Sequence, residues 1–182
     1  MTMEDLSLHI LDIAENSIMA GAHNISITLN ENSAQDLLTI EIGDDGKGMS
    51  GDIVEKVADP FYTSRTTRKV GLGLALFREA AAIANGSMEV QSTPDAGTTV
   101  RATFQLSHID RKPLGNMVET ITSLLCSSAE VNIRYVHIRD GNKMIFDSRE
   151  IREELGCIPL NSIKGINVTR GYLGQEEETL AH

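Results

Sequence analysis

The chain predicts an α+β fold, a two-layer sandwich with helices on one face of a mixed β-sheet, followed by a small α+β module. Three observations carry this. Ile25, Ile27 and Leu29 alternate with polar residues, as do Leu38, Ile40 and Ile42 beyond the polar turn at residues 31–35, and alternation on both sides of a turn marks a hairpin. A helical pattern precedes that hairpin, two follow it, and a second alternating pair comes last, giving the order α-β-β-α-α-β-β. Residues 107–115, containing Asp110-Arg111-Lys112-Pro113, interrupt the pattern before a new helix begins. The domains read from this are residues 1–107 and residues 115–182.

Over residues 4–22, Leu6, Ile10, Ile13, Ser17 and Gly21 recur at helical spacing, and Leu8, Leu11 and Ile18 widen the stripe until the helix is mostly buried. His9, Asp12 and Asn16 share the narrow face that remains, three and four residues apart, where polar groups need partners. Beyond the hairpin, residues 51–58 predict a short helix stopped at Asp59-Pro60, because the residue before proline avoids the α region. Residues 61–70 have no period and read as a loop. A helix over residues 71–85 has Gly86 as its C-cap. Met88 and Val90 open a strand, residues 94–97 turn it, and Val100, Ala102 and Phe104 return. In the second module a helix is expected over residues 114–127. Val131 to His137 then alternate, Asp140-Gly141-Asn142 turns into Met144-Ile145-Phe146, and Asp147 or Ser148 caps a helix ended by Gly156. The segment after Gly171 is expected to be loose.

Composition narrows the function. A net charge of −10 and a pI near 4.9 oppose attachment to nucleic acid, which relies on clustered Lys and Arg. No apolar run approaches the roughly twenty residues of a membrane span, and residues 1–5 lack the basic start of a signal peptide. The expectation is a cytoplasmic protein with no membrane partner. Cys126 and Cys157 are too far apart for a C-x-x-C pair, and no histidine cluster completes a zinc set.

The most informative stretch is Ile40-Glu41-Ile42-Gly43-Asp44-Asp45-Gly46-Lys47-Gly48-Met49, which delivers an acid and two glycines straight off an alternating strand. Asp44 is placed to read an exocyclic amine, while Gly46 and Gly48 let the backbone approach a flat ligand. Gly46, Gly48 and Gly51 also fit the G-x-G-x-x-G of a dinucleotide fold. That fold next needs a parallel strand ending in an acid, which residues 61–70 do not supply.

Taken with Asp12, Asn16 and Gly71-Leu72-Gly73-Leu74-Ala75-Leu76, residues 4–106 resemble the ATP-binding fold shared by gyrase, the heat-shock chaperone, histidine kinases and the mismatch-repair ATPases, the GHKL superfamily. The box Leu11-Asp12-Ile13-Ala14-Glu15-Asn16-Ser17, running on to Ala20-Gly21-Ala22, is particularly similar to the mismatch-repair type. The resemblance implies ATP and Mg2+ as cofactors, with Asn16 coordinating the metal through its amide oxygen. Asp12, the catalytic candidate, stands where hydrolysing members carry a water-activating glutamate and is one methylene shorter. Asp44 accepts from the adenine amino group in this comparison, followed by Gly46, Gly48 and Met49. Asp59-Pro60-Phe61-Tyr62-Thr63-Ser64-Arg65 and the Gly71 box are similar to the last two boxes of sensor kinases, where a helix start and loop cations meet the phosphates. That assigns Arg65, Lys69, Gly71, Leu72, Gly73 and Leu74 to the phosphate side, with Lys69 replacing the first glycine of the box. Gly97-Thr98-Thr99-Val100 resembles the closing box, with Thr98 on the adenine side.

Ser107-His108-Ile109-Asp110-Arg111-Lys112-Pro113-Leu114 is similar to the histidine box of sensor kinases and makes His108 a phosphoacceptor candidate. It follows the ATP-binding segment here, and no acid stands directly after the histidine. Motif style favours the kinase branch: a stand-alone signalling kinase passing the γ-phosphate to a protein partner, with a homodimer open. The alternative is an ATP-gated, anti-sigma-like binding module or a slow ATPase.

Overall fold

The computed structural model describes residues 4–58 and 73–180. Its elements run α1 (Leu6–Met19), β1 (Asn24–Asn32), β2 (Leu37–Asp44), α2 (Gly51–Ala58), α3 (Gly73–Ile83), β3 (Met88–Thr93), β4 (Gly97–Gln105), α4 (Met117–Ser127), β5 (Asn132–Arg139), β6 (Asn142–Asp147), α5 (Ser148–Leu155) and α6 (Ile163–Leu180). The strands form one sheet in the order β3-β4-β2-β1-β5-β6. β1 and β5 are parallel and the other neighbours antiparallel, so the sheet is mixed and the class α+β.

The alternation that predicts the hairpin also decides which face is covered. Ile25, Ile27, Leu29, Leu38, Ile40, Ile42, Val100, Ala102 and Phe104 are buried against Leu6, Ile10 and Ile13 of α1 and Phe77 of α3. Burying large aliphatic side chains contributes about 1.5–3 kcal/mol each, so this face is the main source of stability. The segment at residues 115–182, expected as a module of its own, continues the same layers. β5 pairs along β1 from Asn24↔Asn132 to Glu31↔Arg139, and Ile133, Tyr135, Met144 and Phe146 join the same core. Residues 106–116 are therefore a crossover. They pass over the start of α1, where Leu6 N–H donates to Pro113 O at 2.9 Å and Ser7 N–H to Leu114 O at 2.8 Å, satisfying two donors that a helix start leaves open.

Two local expectations are corrected. The left-handed residue at the end of α3 is Asn85, with φ of 53°, not Gly86. The segment after Gly171, expected to be loose, is the second half of α6, which buries Thr169, Leu173 and Leu180. Three glycines and a run of glutamates hide its stripe in the sequence.

A polar clasp holds that half of α6. His137, 1 % exposed, lies with Nε2 2.8 Å from Glu31 Oε1 of β1 and Nδ1 3.0 Å from Glu177 Oε2 of α6. The Tyr135 hydroxyl donates to Glu177 Oε1 at 2.6 Å, and Arg139 Nη2 donates to Glu31 Oε1 at 3.0 Å. Burial alone would push the His137 ring down, but the two carboxylates hold it above its ordinary value. Glu31 is held down to about 2, first by the His137 hydrogen bond and, against the opposing effect of burial, by Arg139 as well.

Candidate functional site

Asp44 ends β2, and α1 crosses beside it. The Ser17 hydroxyl, buried on the apolar stripe of α1, donates to Asp44 Oδ2 at 2.7 Å, and Gly46 N–H donates to Oδ1 at 2.9 Å. An ionised carboxylate accepts at about four lone-pair positions, so each oxygen keeps room for a further donor. The loop after β2 is drawn to the end of α1 by Lys47 N–H, which donates to Ala20 O at 3.1 Å.

Gly48 has φ of 60°, and a side chain there would run into the Thr93 carbonyl, so glycine is required on both counts. Met49 N–H donates to Ser92 Oγ at 2.8 Å, and that oxygen lies 2.8 Å from Thr98 Oγ1. Thr98 is the cross-strand neighbour of Asp44.

Immediately before Ser17, the Asn16 amide nitrogen reaches back one turn, donating to Asp12 O at 2.8 Å and to Asp12 Oδ2 at 3.3 Å. Those bonds fix the amide orientation and turn Asn16 Oδ1 away from Asp12. Burial pushes the Asp12 carboxyl up, and the hydrogen bond from Asn16 opposes the shift without cancelling it. Gly73, the first residue of α3, lies so close to the Asp12 carboxylate that any side chain would collide with it. Leu74 packs partly buried on the core.

Asp12, Asn16, Asp44, Gly46, Gly48, Met49, Gly73, Leu74 and Thr98 are placed on adjoining elements by these contacts. Arg65, Lys69, Gly71 and Leu72 lie outside the described residues. His9, on the same side of α1 as Asp12, turns to another purpose. Its Nε2 lies 3.2 Å from Lys112 Nζ and its ring packs on Phe77 at 5.6 Å. Burial first, and the Lys112 charge second, lower it to about 4, so it is neutral. His108 is in a turn beyond the end of β4, where its Nδ1 accepts the Asp110 N–H at 3.2 Å. Helix α4 starts only at Met117.

Sequence reasoning missed Ser17, Ser92 and Asp45. A hydroxyl on an otherwise apolar stripe was the available signal for Ser17; nothing local marked Ser92. Asp45 holds the start of β1. Its Oδ1 accepts the N–H groups of His23 and Asn24 at 2.7 and 2.8 Å, and its Oδ2 accepts Asn24 Nδ2 at 2.6 Å.

A groove of about 450 Å3 opens on the opposite sheet face, lined by Asn24, Ser26, Gly43, Thr99, Asn132 and Arg134 among others. Asp44 also borders it, and of its other two carboxylates Asp147 is engaged by Arg149 and Asp45 by Asn24.

A family model described as "Histidine kinase-, DNA gyrase B-, and HSP90-like ATPase" matches residues 3–108. The chain belongs to this family. Membership of these ATPases carries ATP binding with it. Curated relatives include the "Non-motile and phage-resistance protein" of Caulobacter vibrioides, 31% identical over 112 residues that cover 57% of this chain and 13% of that protein. The "Histidine protein kinase SaeS" of Staphylococcus aureus is 32% identical over 107 residues, 56% of this chain and 30% of that one. The "Sensor histidine kinase YxdK" of Bacillus subtilis is 32% identical over 82 residues, 43% of this chain and 25% of the kinase. This chain thus spans less than a third of each. Among solved structures, the Aquifex aeolicus MutL ATPase domain complexed with ADP is similar with a TM-score of 0.52 at 16% identity, covering 94% of this chain and 70% of that one. The N-terminal domain of a DNA repair protein gives 0.53 at 18%, covering 84% and 57%. At such identities the likeness is one of fold, and with 94% of the chain covered it extends past residue 108.

Proposed function

We propose that this member of the ATPase family is a magnesium-dependent, ATP-binding signalling protein of the cytoplasm that transfers the γ-phosphate to a protein partner. The hydrogen-bonded continuity from Asp12 through Asn16, with neighbouring Ser17 bonded to Asp44 and Asp44 to Gly46, is the observation that supports the nucleotide end of this reading.

Asp44, steadied on both oxygens, accepts the adenine amino group. Guanine would present a carbonyl to the same carboxylate and leave it unpaired, which favours ATP over GTP. Gly46, Gly48, Met49 and Thr98 complete the purine side. Mg2+ takes oxygen ligands and keeps several waters, and Asn16, its amide nitrogen committed to Asp12, offers Oδ1 for it. When bound, the ion supplies charge neutralisation to the phosphates. Gly73 and Leu74 at the start of α3 belong to the phosphate side, with Arg65, Lys69, Gly71 and Leu72 proposed beside them. Asp12, whose carboxyl is raised by burial, is suited to take up a proton from the attacking group. The sensor-kinase relatives support a kinase over a simple hydrolase.

Incubation with γ-labelled ATP and Mg2+ tests the reading. Label is expected on a co-purified partner or on the chain itself, acid-labile if on a histidine such as His108 and acid-stable if on serine. Steady phosphate release with no labelled protein would replace the kinase by an ATPase. Partner capture that needs ATP and survives Asp12→Ala would replace it by a binding module.

A further inference from the structure

The carboxylate of Asp45 begins a chain of side chains that crosses the sheet. Asn24 of β1 donates through Nδ2 to Asp45 Oδ2 at 2.6 Å, Asn132 of β5 donates through Nδ2 to Asn24 Oδ1 at 3.0 Å, and Arg152 of α5 donates through Nη1 to Asn132 Oδ1 at 2.7 Å. The other terminal nitrogen of Arg152 donates to Ala129 O at 2.9 Å, anchoring the guanidinium to the loop before β5. The direction of every link is forced. A guanidinium only donates and a carboxylate only accepts, so both amides must lie head to tail between them.

At its Asp45 end this chain adjoins the segment that carries Asp44. Asp45 follows Asp44 directly, and its carboxylate fixes where the chain turns from β2 into the Gly46 loop by gripping the N–H groups of His23 and Asn24. The Gly46 N–H that steadies Asp44 lies one residue further on. Arg152 and Asn132 both lie outside residues 3–108, the span matched by the family model.

We propose that Arg152, acting through Asn132 and Asn24, is a positioning residue for the Asp44 loop, so that α5 and the purine side are energetically coupled. This deepens the nucleotide reading and rests on it for its second half. By linkage the coupling runs both ways: what shifts α5 changes nucleotide affinity, and nucleotide changes the hold on α5.

Two variants cut the chain at different links. Arg152→Gln removes the charged end. Asn132→Asp keeps the shape and still accepts from Arg152, but sets an oxygen against Asn24 Oδ1. Amide hydrogen exchange of the nucleotide-free proteins is expected to quicken at residues 23–24 and 44–48 in both variants and to stay unchanged in β3 and β4. ATP and ADP affinities should then fall together by about fivefold, leaving their ratio as in the native protein because the phosphates are untouched. The double variant should be no weaker than the more affected single one. Native exchange rates in both variants would overturn the positioning role, and so would effects that multiply in the double variant. Faster exchange with native affinity for ATP would overturn the coupling to the purine. Failure of the native protein to take up ATP at all would overturn the nucleotide reading instead, while the exchange data still decide whether Arg152 positions the loop.

Discussion

Asp44 and Ser17 form a hydrogen-bonded pair in which, in the proposed site, the acid recognises and the hydroxyl holds. Asp44→Asn replaces one acceptor oxygen with an amide donor: if the amide turns to Ser17, whose hydroxyl can accept it while donating to Ile13 O, the remaining carbonyl oxygen still has to serve both Gly46 N–H and the adenine amine, without the carboxylate charge. ATP affinity is expected to fall about tenfold to a hundredfold, with the preference over GTP narrowing, as competition between the two nucleotides would measure. Ser17→Ala keeps the carboxylate but frees it to rotate, a loss of about 1 kcal/mol, or about fivefold in affinity. In the proposed mechanism Asp12 acts on the chemistry and not on the purine. Asp12→Asn preserves the contact with Asn16, so ATP binding should stay within about threefold, whereas label transfer should drop about a hundredfold, in line with loss of a proton acceptor. Of these residues, Asp12, Asn16 and Asp44 were legible because each stands at a spacing that fixes a face or a strand end. Ser17 was not, since a small hydroxyl on an apolar stripe looks like a filler until the strand it faces is known.

The elements differ in how openly the sequence declares them. The β1–β2 hairpin and α1 are spelled by alternation and by a wide apolar stripe, and both form where those patterns fall. α6 is not spelled, because part of what holds it is the His137 clasp, a long-range contact between residues forty positions apart. That clasp has a pH signature. His137 binds its proton more tightly in the folded chain, so its contribution is complete below its ordinary 6.5 and is lost as pH rises through the higher folded value. Glu31 is the reverse case, contributing fully above its ordinary 4.5 and losing that contribution as pH falls toward about 2. The clasp is thus complete between about 4.5 and 6.5. His137→Gln should lower the melting temperature most within that window, and the difference from the native protein should shrink on the alkaline side. A difference constant across pH would mean that the ring is not charged in the folded protein.

Across the whole molecule, the sequence carried the class of fold, the mixed sheet and the family. It did not carry the union of residues 115–182 with the rest. Alternation in β1 tells which face is buried and says nothing about which strand lies alongside, so an edge open to β5 cannot be read from either strand alone. That union limits how far the chain can be shortened. A chain ending at residue 110 would expose the β1 edge and the α1 surface that α4 covers, and it should be much less stable than the full chain or should aggregate, because unpaired edges template further pairing. Size-exclusion chromatography of the truncated and full-length chains tests this, and a monomeric, folded fragment of native stability would refute it.

Titration calorimetry of the full chain with ATP, with and without Mg2+, tests the central claim most directly. The account predicts uptake of one ATP per chain, strengthened by the metal, with the Mg2+ effect lost in Asn16→Ala and nucleotide affinity lowered about tenfold to a hundredfold in Asp44→Asn. No uptake at millimolar ATP, or uptake indifferent to both substitutions, would contradict it.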